Sequence, residues 1–236
     1  MKYLSIVSLT LMILGGVWFV FEAYNIERLN TNIKIENEEV PLGFWMDEAE
    51  KIEEKEYYED VENHWAKDSV MYIVDTQVMS LINDNEFMPN KYITRAEFIT
   101  TLGRTENIDT MDRKVKNFKD VEETKFYAPY VAWAEENEIL ANEKENKFRP
   151  NDLITREEAA VMLAGYLENV RGEILIAGNG IKDLDKISTW AQDRVMLVLC
   201  SEYINGRNDG TFDPNAGMTR AELATLLTRM IKRLDL

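Results

Sequence analysis

One cysteine, Cys200, and one histidine, His64, are all that 236 residues offer of the side chains most used in metal binding and nucleophilic catalysis. A lone thiol forms no intramolecular disulfide, and the pair supplies neither a His/Cys metal set nor a nucleophile with its base. Cys200 ends the apolar run Val195 to Leu199 and reads as a small buried hydrophobe, while His64, beside Trp65, reads as a helix-start residue. Positive charge is also short: 27 Lys and Arg stand against 43 Asp and Glu, a formal net charge of −16. That balance opposes the basic face that nucleic acid or acidic lipid requires, so no nucleic-acid partner is expected. Nothing marks a cofactor. Gly178-Asn179-Gly180 is too short to cradle a phosphate, and the loop from Asn205 places Ala216 where a calcium loop needs its bidentate Glu. Acidic pairs suited to glycoside hydrolysis have no accompanying signature. The chain is therefore read as a non-enzyme with no metal or cofactor.

What is present begins with an uncharged, largely apolar stretch from Tyr3 to Phe21. As a helix it would reach roughly 28 Å, close to a bilayer core. Residues 1–25 are expected to be a hydrophobic helix, a signal-anchor or signal peptide, that partners the cytoplasmic membrane. Lys2 ahead of it and the acids behind it orient the remainder outward. Residues 26–56 are polar and Glu-rich, interrupted by Pro41-Leu42-Gly43-Phe44-Trp45, and read as an acidic tether that is partly helical after Trp45.

Beyond the tether the chain repeats itself. Ile93-Thr94-Arg95-Ala96-Glu97, Ile154-Thr155-Arg156-Glu157-Glu158 and Met218-Thr219-Arg220-Ala221-Glu222 recur at spacings of 61 and 64 residues. Seven residues before each Thr stands Phe87, Phe148 or Phe212, with Pro89, Pro150 or Pro214 two further on. Each unit opens on Tyr58-Glu59-Asp60-Val61, Phe118-Lys119-Asp120-Val121 or Ile181-Lys182-Asp183-Leu184. Apolar residues at helical spacing precede the loop (Trp65, Val70, Ile73, Val74, Val78) and follow the Thr-Arg pair (Phe98, Ile99, Leu102), so each unit is helix, loop, helix. The loop is fullest in unit three, Gly206-Arg207-Asn208-Asp209-Gly210-Thr211-Phe212, whose glycines suit positive φ. Asn142, Asn146 and Asn85 replace glycines elsewhere, as the residue that best tolerates that conformation, and Leu81 in place of Gly206 is a departure.

These motifs together resemble the S-layer homology module, present three times: residues 57–110, 111–172 and 173–236. The resemblance implies a mainly α fold, with three helix-loop-helix repeats in a pseudo-threefold assembly around a central helical bundle. It further implies non-covalent attachment to the bacterial cell wall through an anionic, pyruvylated secondary cell-wall polysaccharide, bound in grooves between repeats with the motif Arg as a main contact. The location would be the cell envelope, outside the cytoplasm. An envelope protein-interaction adaptor that keeps the fold without sugar binding is the alternative, its protein partners unknown.

Chemistry reads the motif independently. Thr-x-x-Glu is a capping box, so Thr94 with Glu97, Thr155 with Glu158 and Thr219 with Glu222 are expected to close helix starts. The Arg after each Thr sits by the positive end of the helix dipole, an unfavourable placement of roughly 0.3–1 kcal/mol that capping does not need. Free N–H groups plus a guanidinium would make a carboxylate site. Ligand contact by Arg95, Arg156 and Arg220 stands beside a salt bridge to Asp60, Asp120 or Asp183, and both can hold. Trp65 and Trp190, with Tyr127 in their place in unit two, stand between sugar stacking and core, and Trp133 reads as core. The candidate polysaccharide contacts are thus Arg95, Arg156, Arg220, Asp60, Asp120, Asp183, Trp65, Trp190, Gly206, Asp209 and Thr211. Because unit three keeps its loop whole, Arg220 is expected to contribute most.

Overall fold

The computed structural model describes residues 8–13, 17–22, 33–35, 38–40, 58–83, 85–140, 146–173 and 180–234. They fall into two units, Met1–Lys55 and Glu56–Leu236.

In the first unit, β1 (Ser8–Ile13) pairs antiparallel with β2 (Val17–Glu22), Ser8 opposite Glu22 and Ile13 opposite Val17. A shorter pair, β3 (Ile33–Ile35) and β4 (Glu38–Val40), follows within the stretch read as a tether. The apolar segment was expected to be one helix; its described residues are strands instead. β-Branched and aromatic residues crowd Val17-Trp18-Phe19-Val20-Phe21, which favours an extended backbone, and Gly15-Gly16 weakens a continuous helix. Among the described residues no helix is long and apolar enough to cross a membrane, so the structure gives no support to a membrane-partnering helix. The helical stretch expected after Trp45 lies outside the described residues.

The second unit is built from helix pairs. The first helices are α1 (Lys67–Asp75), α3 (Ala128–Glu136) and α5 (Gln192–Cys200); the second are α2 (Arg95–Thr105), α4 (Arg156–Asn169) and α6 (Arg220–Leu234). Gln77, Glu138 and Glu202, at φ of 61, 56 and 61°, end the three first helices in the left-handed turn that stops an α-helix. The capping boxes form as expected. Thr94 accepts from the Glu97 N–H and Thr155 from the Glu158 N–H, with each Glu reaching back to its Thr N–H. Thr219 and Glu222 exchange the same two bonds, at 3.2 and 2.9 Å.

The pairing of helices crosses the repeats. α2 of unit one packs on α3 of unit two, α4 of unit two on α5 of unit three, and α6 of unit three on α1 of unit one. The backbone follows the same circuit: Ile154 N–H donates to Ile93 O at 3.0 Å, Met218 N–H to Ile154 O at 3.1 Å, and Ile93 N–H to Met218 O at 3.0 Å. The core along this circuit holds Val70, Ile73, Phe98, Ile99, Leu102 and Val131, with Leu163, Val195, Val198 and Leu227, all fully buried. α4 is covered nearly all round, from Ala159 to Leu167, as a helix at the middle of a core must be. Trp133 belongs to that core, as expected.

Candidate functional site: the junctions between repeats

Each repeat ties its own loop with an aspartate. Asp60 accepts from the N–H groups of Phe87 and Met88, Asp120 from those of Phe148 and Arg149, and Asp183 from those of Phe212 and Asp213. These two-pronged clamps hold Met88, Arg149 and Asp213 at φ of 56, 58 and 61°, a region unusual for residues with a Cβ and more so before proline. A side chain that accepts both N–H groups offsets the strain. The three aspartates are thereby loop fasteners, which accounts for an Asp at the opening of every repeat.

The motif arginines reach into the next repeat. Arg95 Nε donates to Phe148 O at 2.7 Å, Arg156 Nε to Phe212 O at 2.8 Å, and Arg220 Nε to Phe87 O at 2.6 Å. Each guanidinium also lies over the ring of the same Phe, at 5.2, 4.9 and 4.3 Å. Arg156 Nη2 adds a bond to Asn205 O and Arg220 Nη2 one to Ser80 O. All three are buried. Burial lowers the pKa of Arg156, helped by Arg207 and opposed chiefly by Glu222; burial likewise lowers Arg220, opposed by Glu97 and Asp60.

Three expectations change accordingly. The salt bridges do not run to Asp60, Asp120 or Asp183: Arg95 pairs with Glu158 at 3.0 Å and Arg156 with Glu222 at 3.5 Å, the capping glutamates of the following repeat. Nor are the helix starts open. Arg95, Arg156 and Arg220 donate their backbone N–H to Asp152, Ala216 and Lys91 carbonyls, and the following residues donate to Pro150, Pro214 and Pro89. The donors that would receive an anion are spent on building the junction. Finally, the arginine at the intact loop Gly206 to Phe212 is Arg156, whereas Arg220 serves unit one's loop, so the expected primacy of Arg220 loses its basis.

At two junctions a second, exposed arginine meets the same glutamate. Arg149 binds Glu158 at 2.6 Å and Arg207 binds Glu222 at 2.5 Å; their side chains are 43% and 38% exposed. Arg149 follows the loop Phe and Arg207 precedes it by five residues, so different sequence positions deliver the same group to the same place. Repetition of motif gives no signal for this. Burial pushes the Glu158 carboxyl up, but Arg95, the Thr155 N–H and Arg149 together outweigh it and hold it below its ordinary range.

The unit-three loop is organised by Asp209, which accepts from both the N–H and the hydroxyl of Thr211; those bonds hold its carboxyl below the usual range. Gly210 has a φ of 85° and Asn146, its counterpart, 53°, as the substitution implied. Gly206 and Asn85 are not at positive φ. A Cβ on Gly206 would stand 3.1 Å from Thr211 O, so close approach explains that glycine; Leu81, at the equivalent place in unit one, packs its side chain against the core. Asp183, Lys186, Arg207, Asp209 and Thr211 line a solvent-open cleft of about 610 Å³.

The aromatic candidates divide. Trp65 is 67% and Trp190 40% exposed, so neither belongs to the core, while Tyr127 is buried and its neighbour Phe126 takes the surface. His64 accepts from the Ala66 N–H at the start of α1, as expected of a helix-start residue. Cys200 is exposed at the end of α5, contrary to the buried reading, because the apolar face of that helix runs through Val195 and Val198 and turns away from position 200. Glu157, where the other motifs have Ala, accepts from the Ser188 N–H and hydroxyl at 2.9 and 2.8 Å, an additional tie between units two and three.

The pattern of the S-layer homology domain matches residues 57–99, 117–160 and 180–224, and the chain belongs to that family. Among similar proteins, an amylopullulanase of Thermoanaerobacterium thermosulfurigenes is 30% identical over 75% of the chain and 10% of its own length. A cellulosome-anchoring protein of Acetivibrio thermocellus is 30% identical over 62% of the chain and 34% of its length, and an S-layer protein of Bacillus licheniformis 24% identical over 72% and 19%. The chain thus spans between a tenth and a third of these relatives, some named for catalysis and others for the cell surface. The family places the protein in the cell envelope, outside the cytoplasm.

Proposed function

We propose that the chain attaches non-covalently to the bacterial cell wall by binding an anionic, pyruvylated secondary cell-wall polysaccharide in grooves between its repeats, without catalysing a reaction. The observation that carries this reading is the open cleft at the unit-three loop, where Lys186 and Arg207 stand among Asp183, Asp209, Thr211 and Asp213, beside the junction that Arg156 of the preceding repeat fills. A cleft lined by donors and acceptors suits a hydrated sugar chain better than an apolar ligand. Exposed Trp65 and Trp190 are suited to the apolar face of a sugar ring.

The circuit of helix pairs and backbone bonds supports a pseudo-threefold assembly of repeats 57–110, 111–172 and 173–236 around a central helical bundle. In this reading Asp60, Asp120 and Asp183 shape the grooves, and Arg95, Arg156 and Arg220 position them from beneath. Retention of the purified chain by wall sacculi, before and after removal of the polysaccharide, is the test. Loss of retention on removal supports the proposal. Undiminished retention overturns it in favour of an envelope protein-interaction adaptor.

A further inference from the structure

We infer that the cycle of repeats opens where its first and last helices meet, and that α1 with its loop then docks on unit three of a second copy of this chain, giving a reciprocally swapped dimer. The inference goes beyond wall attachment and stands whatever the repeats bind.

The helices pack as three pairs: α2 with α3, α4 with α5, and α6 with α1. The first two pairs join helices that follow one another in the chain, so a pair that parts stays tethered and re-forms. The third joins the first helix of the repeats to the last. Only its contacts hold it within one copy.

The junctions differ in the same sense. Ion pairs Arg95–Glu158 and Arg171–Glu106 join unit one to unit two, and Arg156–Glu222 and Arg194–Glu168 join unit two to unit three. Among the described residues no ion pair joins unit three to unit one. There Arg220 donates to Phe87 O and Ser80 O, Thr228 donates to Ser69 O at 3.1 Å, and Lys232 lies over the Tyr72 ring at 4.6 Å. The backbone adds Arg220 N–H to Lys91 O, Ala221 N–H to Pro89 O and Ile93 N–H to Met218 O.

Most of these bonds reach one movable body. Asp60, ahead of α1, holds the N–H groups of Phe87 and Met88, and His64 Nε2 lies 3.3 Å from Asn90 Oδ1, so α1 and its loop are fastened to each other. Forward of the loop the tie is weaker. Units two and three bind loop to second helix through Arg149–Glu158 and Arg207–Glu222. In unit one no ion pair among the described residues, Lys91 and Glu97 included, binds the loop to α2. When the body leaves, α1 uncovers Val70 and Ile73, and α6 uncovers Leu223, Leu227 and Met230. Such faces do not stay bare in water. A second opened copy presents the same two faces, and reciprocal exchange restores every bond of the junction, closing the assembly at two copies.

Two measurements on the full chain test this. In dilute native protein three equivalent amides report the three junctions: Ile93 donates to Met218 O, Ile154 to Ile93 O and Met218 to Ile154 O. Hydrogen exchange at Ile93 should run about tenfold ahead of the other two, the worth of one charge-assisted bond. Equal protection of all three overturns the opening. For the dimer, chains with Cys200→Ser carry either Ser69→Cys or Thr228→Cys, positions that meet across the pair. Refolded together at high concentration and then oxidised, the two kinds of chain should give a disulfide-linked pair at twice the monomer mass. Folded apart while dilute and mixed afterwards, they should give none over the same time. A chain carrying both substitutions, oxidised while dilute, should lock as a monomer and form no dimer when concentrated. The swap is overturned by a dimer that leaves the two kinds of chain unlinked, by a locked chain that dimerises as freely as the unlocked one, or by a concentrated refolded sample that stays monomeric.

Discussion

At the scale of single residues, one glutamate and one arginine carry most of a junction. Removing the Arg156 side chain strips Phe212 O and Asn205 O of their donor and Glu222 of its buried partner, although Arg207 stays on Glu222. Arg156→Ala should therefore cost about 3 kcal/mol in a denaturant melt. A loss within a few tenths would return the arginine to the role of ligand contact. Glu158 adds a pH dependence with a definite sign. Its folded pKa lies below the ordinary 4.5, so its contribution is present above that value and is lost as pH falls through the folded pKa. The melting temperature of Glu158→Gln should lie below the parent's at pH 7, and the gap should close over the acidic range below pH 4.5. A gap that stays constant across that range would mean that the carboxylate charge is not what stabilises the junction. The equivalence of Asp60, Asp120 and Asp183 was legible in the opening pattern they share, an aromatic or aliphatic residue, then x-Asp and an aliphatic. The targets of the arginines were not: they lie 49 to 140 positions away, and a repeat looks the same whether its contacts stay within it or pass to its neighbour.

At the scale of elements, that ambiguity is the main difference between pattern and structure. Helical periodicity located both helices of each repeat and the Thr caps located their starts, yet amphipathic faces do not name their partners. α2 covers α3 and leaves α1 to α6. Within a repeat, contact is made closely too, at Gly165 in α4. A Cβ there would lie 3.2 Å from Ile139 Cα and 3.3 Å from its carbonyl oxygen, backbone atoms just beyond the end of α3. On an exposed helix face Gly→Val changes stability by only a few tenths of a kcal/mol. Here Gly165→Val should cost about 2 kcal/mol through overpacking, measurable by chemical denaturation. Neutral behaviour would mean that α4 and the end of α3 can part without loss. The N-terminal strands mark the other limit of pattern reading, since an apolar run of aromatic and β-branched residues is compatible with either backbone state.

For the whole molecule, the crossing of helix pairs makes the repeat a unit of sequence but not of folding. A fragment spanning Tyr57–Asn107 contains α1 and α2 and neither of their partners, α6 and α3. It should show no cooperative thermal transition by circular dichroism; a sharp one would mean that a repeat can bury its own apolar faces. The backbone bonds among Ile93, Ile154 and Met218 carry a further consequence, because a cycle has no first member. A circular permutant opened at Asp112, with Leu236 joined to Tyr57 by a flexible linker and residues 1–56 removed, would present the same neighbours at every junction. It should melt within a few degrees of the unpermuted 57–236 chain. The cycle nevertheless has a hand: donation runs from unit two to one, three to two and one to three. A chain rewritten in the order one, three, two through equally short linkers would reverse that circulation, bringing each arginine to the loop it does not fit. Such a chain has the same composition and the same three motifs, and it should fail to close.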